Sequence, residues 1–341
     1  MMLRVWCEHL DYADARRPET LDVLEQGALS PLVAVRPDAD RVELAELIDA
    51  VQDRDLEIGV WPLVAKEIGY WPSVRNASRF ADYLFELLGD LDDRGARPDW
   101  VAFDFEPPFQ PDDTFGASFR RAFRRALGHL VDPEPADREP TPFDRALATF
   151  REAVERLNDE GIGTLGVATP TVVGDLGRGL DWQRSLETPW SPLPWDRAGI
   201  MAYGSMIAGY SQGLLDYADA RAAHYQFLRR VHGTFGEKAH VSVGITGTGV
   251  YGDEPYYADP EELTRDIAAA RAAGVEDIAV FCLEGILQKE RPGQWVDAMT
   301  EVEPAIPPTT WRAESVVAGV GMLSKLLGVL RGSDVSTPRT A

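Results

Sequence analysis

Apolar, β-branched runs recur along the 341-residue chain, each followed by a polar loop and then by a stretch whose apolar residues fall three and four apart. The runs are LRVWCE (3–8), SPLVAVR (30–36), LEIGVWPL (56–63), DWVAFDFE (99–106), GTLGVATP (163–170), AGIMAYGS (198–205), HVSVGIT (240–246) and DIAVFCLE (277–284). Helix-period stretches lie between them at 41–53, 77–91, 143–157, 214–231 and 260–273. Gly95, Gly161 and Gly274 stand where helices give way to strands, as a left-handed terminating residue requires. Alternation of strand and helix predicts an α/β protein with a parallel sheet. Eight such units predict a single (β/α)8 TIM barrel, and no glycine-rich dinucleotide fingerprint follows the first strand to favour an open sheet.

Two of the loops that follow strands are long, 107–141 after strand four and 171–197 after strand five. Loops on that side of a barrel build its functional face. The first carries the basic stretch FRRAFRRALGHL (119–130), read as a solvated helix face; the second carries Trp182, Trp190 and Trp195, which either extend a sugar platform or pack the loop's interior. The barrel is expected over 1–305, and 306–341 form a proline-rich linker and an amphipathic tail. The tail is too short, and is interrupted by Lys325, for a membrane span. It is read as packing on the barrel or a partner, with membrane contact as the alternative.

Hydrophobic residues make up 45% of the chain, enough for a large core. Against 56 acidic residues stand 34 basic ones, a net charge of -22, which excludes nucleic acid and anionic lipid surfaces as expected partners. Cys7 and Cys282 lie within apolar runs and read as small buried hydrophobes in a reducing compartment. The chain enters a strand within three residues, without an export signal, so a cytoplasmic protein is expected.

Side chains of a strand alternate between faces, so Ala102, Asp104 and Glu106 share one face of DWVAFDFE while Val101, Phe103 and Phe105 share the other. The bulky face belongs under the helices. Two carboxyls therefore point into the barrel at the carboxyl end of strand four, where unpaired charge is costly without a purpose.

The run from Asp99 to Glu106 resembles the fourth-strand signature of family 18 glycoside hydrolases, the chitinase-like enzymes, whose pattern is Asp-Gly-x-Asp-x-Asp-x-Glu. Trp100 replaces the glycine and Ala102 the middle Asp. Met201-Ala202-Tyr203 is similar to the family's Met-x-Tyr, and Phe281 is the aromatic nearest to the family's strand-eight tryptophan. The resemblance implies a TIM barrel that cleaves N-acetylhexosamine-containing or related glycans with help from the substrate's own acetamido group. It further implies Glu106 as proton donor, Asp104 as its partner, Tyr203 as hydrogen-bond donor to the acetamido group, and no cofactor. That strand seven (240–246) lacks a carboxylate agrees, because this mechanism needs no second nucleophilic acid.

Glu8, Trp6, Arg36, Trp61, Met201, Phe281 and Glu284, at or near strand ends, are the candidate substrate-binding residues; together they make an acidic, aromatic mouth suited to a carbohydrate. Two alternatives stay open. One is a metal-dependent sugar isomerase or hydrolase with ligands drawn from Glu8, His9, Asp104, Glu106 and Glu284, although no histidine spacing marks a metal site. The other is a silent barrel that binds sugar or a protein. No Gly-x-Ser-x-Gly elbow occurs, and GITGTGVYG (244–252) lacks the lysine of a phosphate loop, so it reads as a flexible loop over the mouth.

Overall fold

The computed structural model describes residues 1–108, 140–250 and 252–330, with the side chains of 326–330 left aside. The basic stretch 119–130 lies outside the described residues. The eight apolar runs form β1 (Met2–Cys7), β2 (Leu29–Val35), β3 (Gly59–Pro62), β4 (Trp100–Phe105), β5 (Gly163–Ala168), β6 (Arg197–Ala202), β7 (Ala239–Gly244) and β8 (Asp277–Phe281). Each pairs in parallel with its neighbour in sequence, and β8 pairs with β1, closing a (β/α)8 barrel. β3 starts three residues later than its apolar run, because Asp99 accepts the Ile58 N–H and register with β4 begins at Gly59 and Trp100.

The helical stretches become α1 (Tyr12–Ala15), α2 (Pro18–Gln26), α3 (Arg41–Gln52), α4 (Ala77–Asp92), α5 (Pro142–Asp159), α6 (Asp181–Leu186), α7 (Gly204–Tyr210), α8 (Tyr217–Phe235), α9 (Pro260–Ala272), α10 (Leu283–Leu287), α11 (Pro292–Thr300) and α12 (Trp311–Leu330). The sequence periodicity finds α3, α4, α5, α8 and α9. It misses α1, α2, α6, α7, α10 and α11, whose four to nine residues span too few turns to display a repeat. Gly95, Gly161 and Gly274 have φ of +75°, +75° and +92°, the left-handed geometry expected where helices stop.

Parity in β4 divides the strand as its pattern requires. Phe103 and Phe105 face the helices, Phe103 tilted against Phe80 of α4 and Phe105 edge to face with Phe150 of α5, at ring separations of 5.5 and 5.2 Å. Ala102 faces inward with Trp6, Trp61, Leu165 and Met201. At the amino end of β4, Trp100 fills the barrel floor beneath the Arg4 guanidinium, 4.0 Å from its ring. Its bulk fits because its register partners on β3 and β5 are Gly59 and Gly163; a Cβ on Gly163 would stand 2.6 Å from the indole.

A buried polar chain rises from that floor. Asp277 accepts from Arg4 at 3.0 Å, Arg197 at 3.1 Å and His240 Nδ1 at 2.6 Å, while Ser242 bridges His240 Nε2 at 3.2 Å and the Trp6 indole N–H at 3.0 Å. All donors run one way if the His240 proton sits on Nδ1. Burial alone would push the Asp277 carboxyl up, but the bonds and charges of His240 and Arg4 hold it well below the usual carboxylate range.

Trp182, Trp190 and Trp195 are buried and form no platform. Their indole N–H groups donate inward, to Ser324, the Gly166 carbonyl and the Trp190 carbonyl, because so large a loop must pack a core of its own. α12 lies along α6 and α8: Ala313 is buried on Ala222 and Ala223, and Arg312 pairs with Asp219 at 3.3 Å. Among the described residues no helix is long and apolar enough to cross a membrane. Cys7 and Cys282 are buried free thiols.

Candidate active site

At the carboxyl ends of the strands the polar chemistry changes sign. Glu8, one residue beyond β1, is buried, and its Oε1 accepts from the Tyr70 hydroxyl at 2.7 Å. Arg36, one residue beyond β2, donates to that hydroxyl at 2.8 Å and to the Glu8 carbonyl at 3.0 Å, and it stands 3.7 Å from the Glu8 carboxylate. His9 Nε2 lies 3.5 Å from Glu8 Oε2. Burial still prevails over these partners and pushes the Glu8 carboxyl up.

Asp104, on the inward face of β4, is 5% exposed, and among the described residues its Oδ1 has no hydrogen-bond partner. Burial first, and then the charge of Glu8, push its carboxyl well above the ordinary range. Glu106, just past the strand, is half-buried and is raised in the same direction by desolvation and by the charges of Asp104, Glu8 and Glu254. Tyr203 caps the start of α7 with its ring 5.9 Å from Phe281. Burial and the neighbouring Asp104 and Glu106 charges raise its phenol too. Asp104, Glu106, Tyr203 and Glu8 thus form one electrostatic cluster, fed by β1, β4 and β6.

The remaining sequence candidates separate. Trp6 and Trp61 are each 2% exposed and meet edge to face at 4.9 Å in the barrel interior, with the Trp6 N–H committed to Ser242. Met201 and Phe281 are buried in the same interior cluster, against which Tyr203 packs. Glu284 does not end β8: the strand stops at Phe281, and Glu284 sits in the first turn of α10, where helix geometry aims it at the β1–α1 loop. There its Oε1 accepts the backbone N–H groups of His9 and Leu10.

Two residues reach the mouth that pattern reading does not single out. Tyr70 follows β3 in a short turn, and Glu254 is buried in the loop after β7. Neither lies on a strand, so parity is silent about them; the one available signal is the acidic pair Asp253-Glu254 closing the glycine-rich segment. That segment is tied down at its start. Ile245 N–H donates to Ser205 Oγ at 2.8 Å, and Thr246 exchanges hydrogen bonds with the Cys282 backbone. Farther along, a Cβ at Gly249 would stand 3.2 Å from Glu254 Oε1 and 3.3 Å from Glu8 Oε2, so a bare Cα lets the loop approach the acids.

Among the described residues no group of three or more His, Cys, Asp or Glu side chains is arranged to hold a metal ion. The donor set Glu8, His9, Asp104, Glu106 and Glu284 is therefore not gathered around one point, and Glu284 is turned to the backbone instead.

No protein-family model matches the chain, and no curated protein matches it in sequence. Solved structures resemble it in fold. The glycoside hydrolase domain of PgaB (BpsB) from Bordetella bronchiseptica superposes with a TM-score of 0.50 at 13% identity, covering 88% of this chain and 99% of that one. A chitinase from Rhizomucor miehei gives 0.50 at 12% identity over 88% and 99% of the two chains. The endo-beta-mannanase/endo-beta-glucanase PbGH26A-GH5A of Prevotella bryantii gives 0.52 at 9% identity, over 89% of this chain and 48% of that one. At these identities the likeness is one of architecture: a closed barrel of eight parallel strands shared with glycoside hydrolase domains.

Proposed function

We propose that the chain is a glycoside hydrolase of the chitinase-like type, in which Glu106 protonates the glycosidic oxygen, Asp104 orients the substrate's acetamido group and Tyr203 donates to the acetamido carbonyl as charge develops on it. The observation that carries this reading is the environment of Glu106: a half-buried carboxyl pushed up by burial and by the charge of Asp104 retains its proton toward neutrality, as a general acid must. The acetamido nitrogen would be met by Asp104 Oδ1, a buried acceptor without a partner among the described residues.

Ala102 stands where the family pattern has its middle Asp, so no acid lies beneath Asp104 on β4. Glu8 supplies the neighbouring acid from β1 instead, since its charge is the one that acts on Asp104. Arg36 and Tyr70 hold Glu8 in place for this role. Substrate sugars would meet the Tyr203 and Phe281 rings, which stand 5.9 Å apart, with Phe281 reaching the level of the Glu8 and Glu254 carboxylates.

Replacing Glu106 by Gln tests the assignment. Turnover of a fluorogenic N-acetylglucosamine oligomer should fall by about 10²–10⁴-fold, with binding of the oligomer retained. Unchanged turnover would remove Glu106 from the chemistry.

A further inference from the structure

We infer that the outer face of α8 carries a second binding site, for a small phosphate-bearing molecule of about the size of a sugar phosphate. The site shares no residue with the mouth, so it stands apart from the hydrolase reading.

A cavity of about 380 Å³ opens between α8 and the segment that leads into α12. Sites for small organic molecules begin at about 300 Å³, so a ring-sized guest fits. One wall is a stripe of α8, where Tyr225, Gln226, Arg229 and Arg230 recur three and four apart and so share a face. The other wall is Pro307 and Thr309. That wall is fixed at both ends. Ahead of it the Ala305 N–H donates to the Ala268 carbonyl at 3.0 Å; beyond it Arg312 pairs with Asp219 at 3.3 Å, and Ala313 is buried on Ala222 and Ala223.

The polar side chains of the cavity have no use within the described fold. Among the described residues Tyr225, Gln226, Arg229, Arg230 and Thr309 make no side-chain hydrogen bond or ion pair, and no acid lines the cavity. In a chain with 56 acidic residues against 34 basic ones, two adjacent arginines without an acid are an exception. The attraction of a helix C-terminus for cations does not account for them, because the last turn of α8 lies beyond them and carries His232. A third cation adds to the pair. Arg178, whose guanidinium donates to the Gly174 carbonyl at 3.4 Å, acts on Arg230 by its charge: burial first, and then that charge, push the Arg230 guanidinium down.

Guanidiniums that repel one another are the complement of a phosphate dianion. Its oxygens accept forked pairs of N–H bonds, and its two charges relieve the repulsion, where a carboxylate brings only one. Gln226 and Thr309 are placed to bond hydroxyls of the attached body, and the Tyr225 ring and Pro307 give it an apolar surface.

Titration calorimetry on the full chain tests this with glucose 6-phosphate as the probe, in low salt at about pH 7.5, where the phosphate is a dianion. Glucuronate and glucose should each bind at least about tenfold more weakly than glucose 6-phosphate. The double variant Arg229→Gln, Arg230→Gln should weaken glucose 6-phosphate by about tenfold or more, and Arg229→Gln alone, at an exposed position, by about threefold. The double variant Arg79→Gln, Arg94→Gln removes the same charge from exposed positions on α4 and the turn after it, and should change binding less than about twofold. No binding of glucose 6-phosphate at millimolar concentration, binding of glucose or glucuronate as tight as that of glucose 6-phosphate, or equal losses in the two double variants would overturn the site.

Discussion

The two ends of the barrel interior solve the problem of buried charge in opposite ways. On the floor, Asp277 is enclosed by Arg4, Arg197 and His240, each within hydrogen-bond distance, and its carboxyl is held low. At the mouth, Asp104 is equally buried but among the described residues has no cation bonded to it and an Oδ1 without a hydrogen-bond partner, and its carboxyl is driven up. Both are aspartates on inward faces of the same sheet. What differs is whether neighbouring strands supply a compensating charge, and in barrels the uncompensated end is the one that carries chemistry.

The largest effect should come from breaking the floor. Asp277→Asn leaves Arg4 and Arg197 without their acid, with Arg4 wholly buried, and is expected to destabilise the fold by about 3–5 kcal/mol in urea unfolding. An unchanged midpoint would mean that the network is not structural. Asp104→Asn, the matching change at the mouth, should do the reverse. Stability should hold within about 1 kcal/mol or rise, while turnover drops by about 10²–10³-fold. If the two variants lose stability equally, the contrast between the ends fails.

A smaller test concerns packing. Gly163→Ala places a methyl 2.6 Å from the rigid Trp100 indole and should cost about 1–3 kcal/mol, measured in the same unfolding assay. The smallest effect is in pH dependence, at most about 1.4 kcal/mol per pH unit for each group. Asp277 is depressed in the native state, so the stability it contributes is complete above the unfolded value of about 3.9 and is lost as pH falls toward its native value. Glu8, Asp104 and Glu106 are raised, so above about pH 4 the native chain keeps protons that the unfolded chain has released, and stability falls as pH rises. The double variant Asp104→Asn, Glu106→Gln should flatten that upper limb and leave the acid limb intact. An upper limb identical to the wild type's would remove these two carboxyls as its source.

The eight strands were readable because each is a short β-branched run bounded by polar residues, and the inward direction of Asp104 was readable because strand parity is strictly two. Reading failed where geometry depends on a turn. Glu284 lay three residues past the last ladder position, Phe281, so extrapolating the strand put it at the mouth, whereas the start of α10 turned it to the His9 and Leu10 amides. Trp182, Trp190 and Trp195 have no periodicity that separates a platform from a loop core; three buried indole hydrogen bonds decide it. Tyr70 and Glu254 reach the acids through loop paths set by contacts distant in sequence, such as Arg36 with Tyr70 and Gly249 with Glu8.

Trp100 carries a consequence for how this chain can change over generations. Its indole fills the width that Gly163 leaves free on one side, and on the other a Cβ on Gly59 would meet Leu32 Cδ2 at 2.6 Å and the Trp100 Cβ at 3.1 Å, so glycine at 100 alone would open a void, and enlarging either neighbour alone would collide with side chains already in place. Single exchanges are blocked in both directions. Descendants of this sequence should inherit residues 59, 100 and 163 as one covarying set.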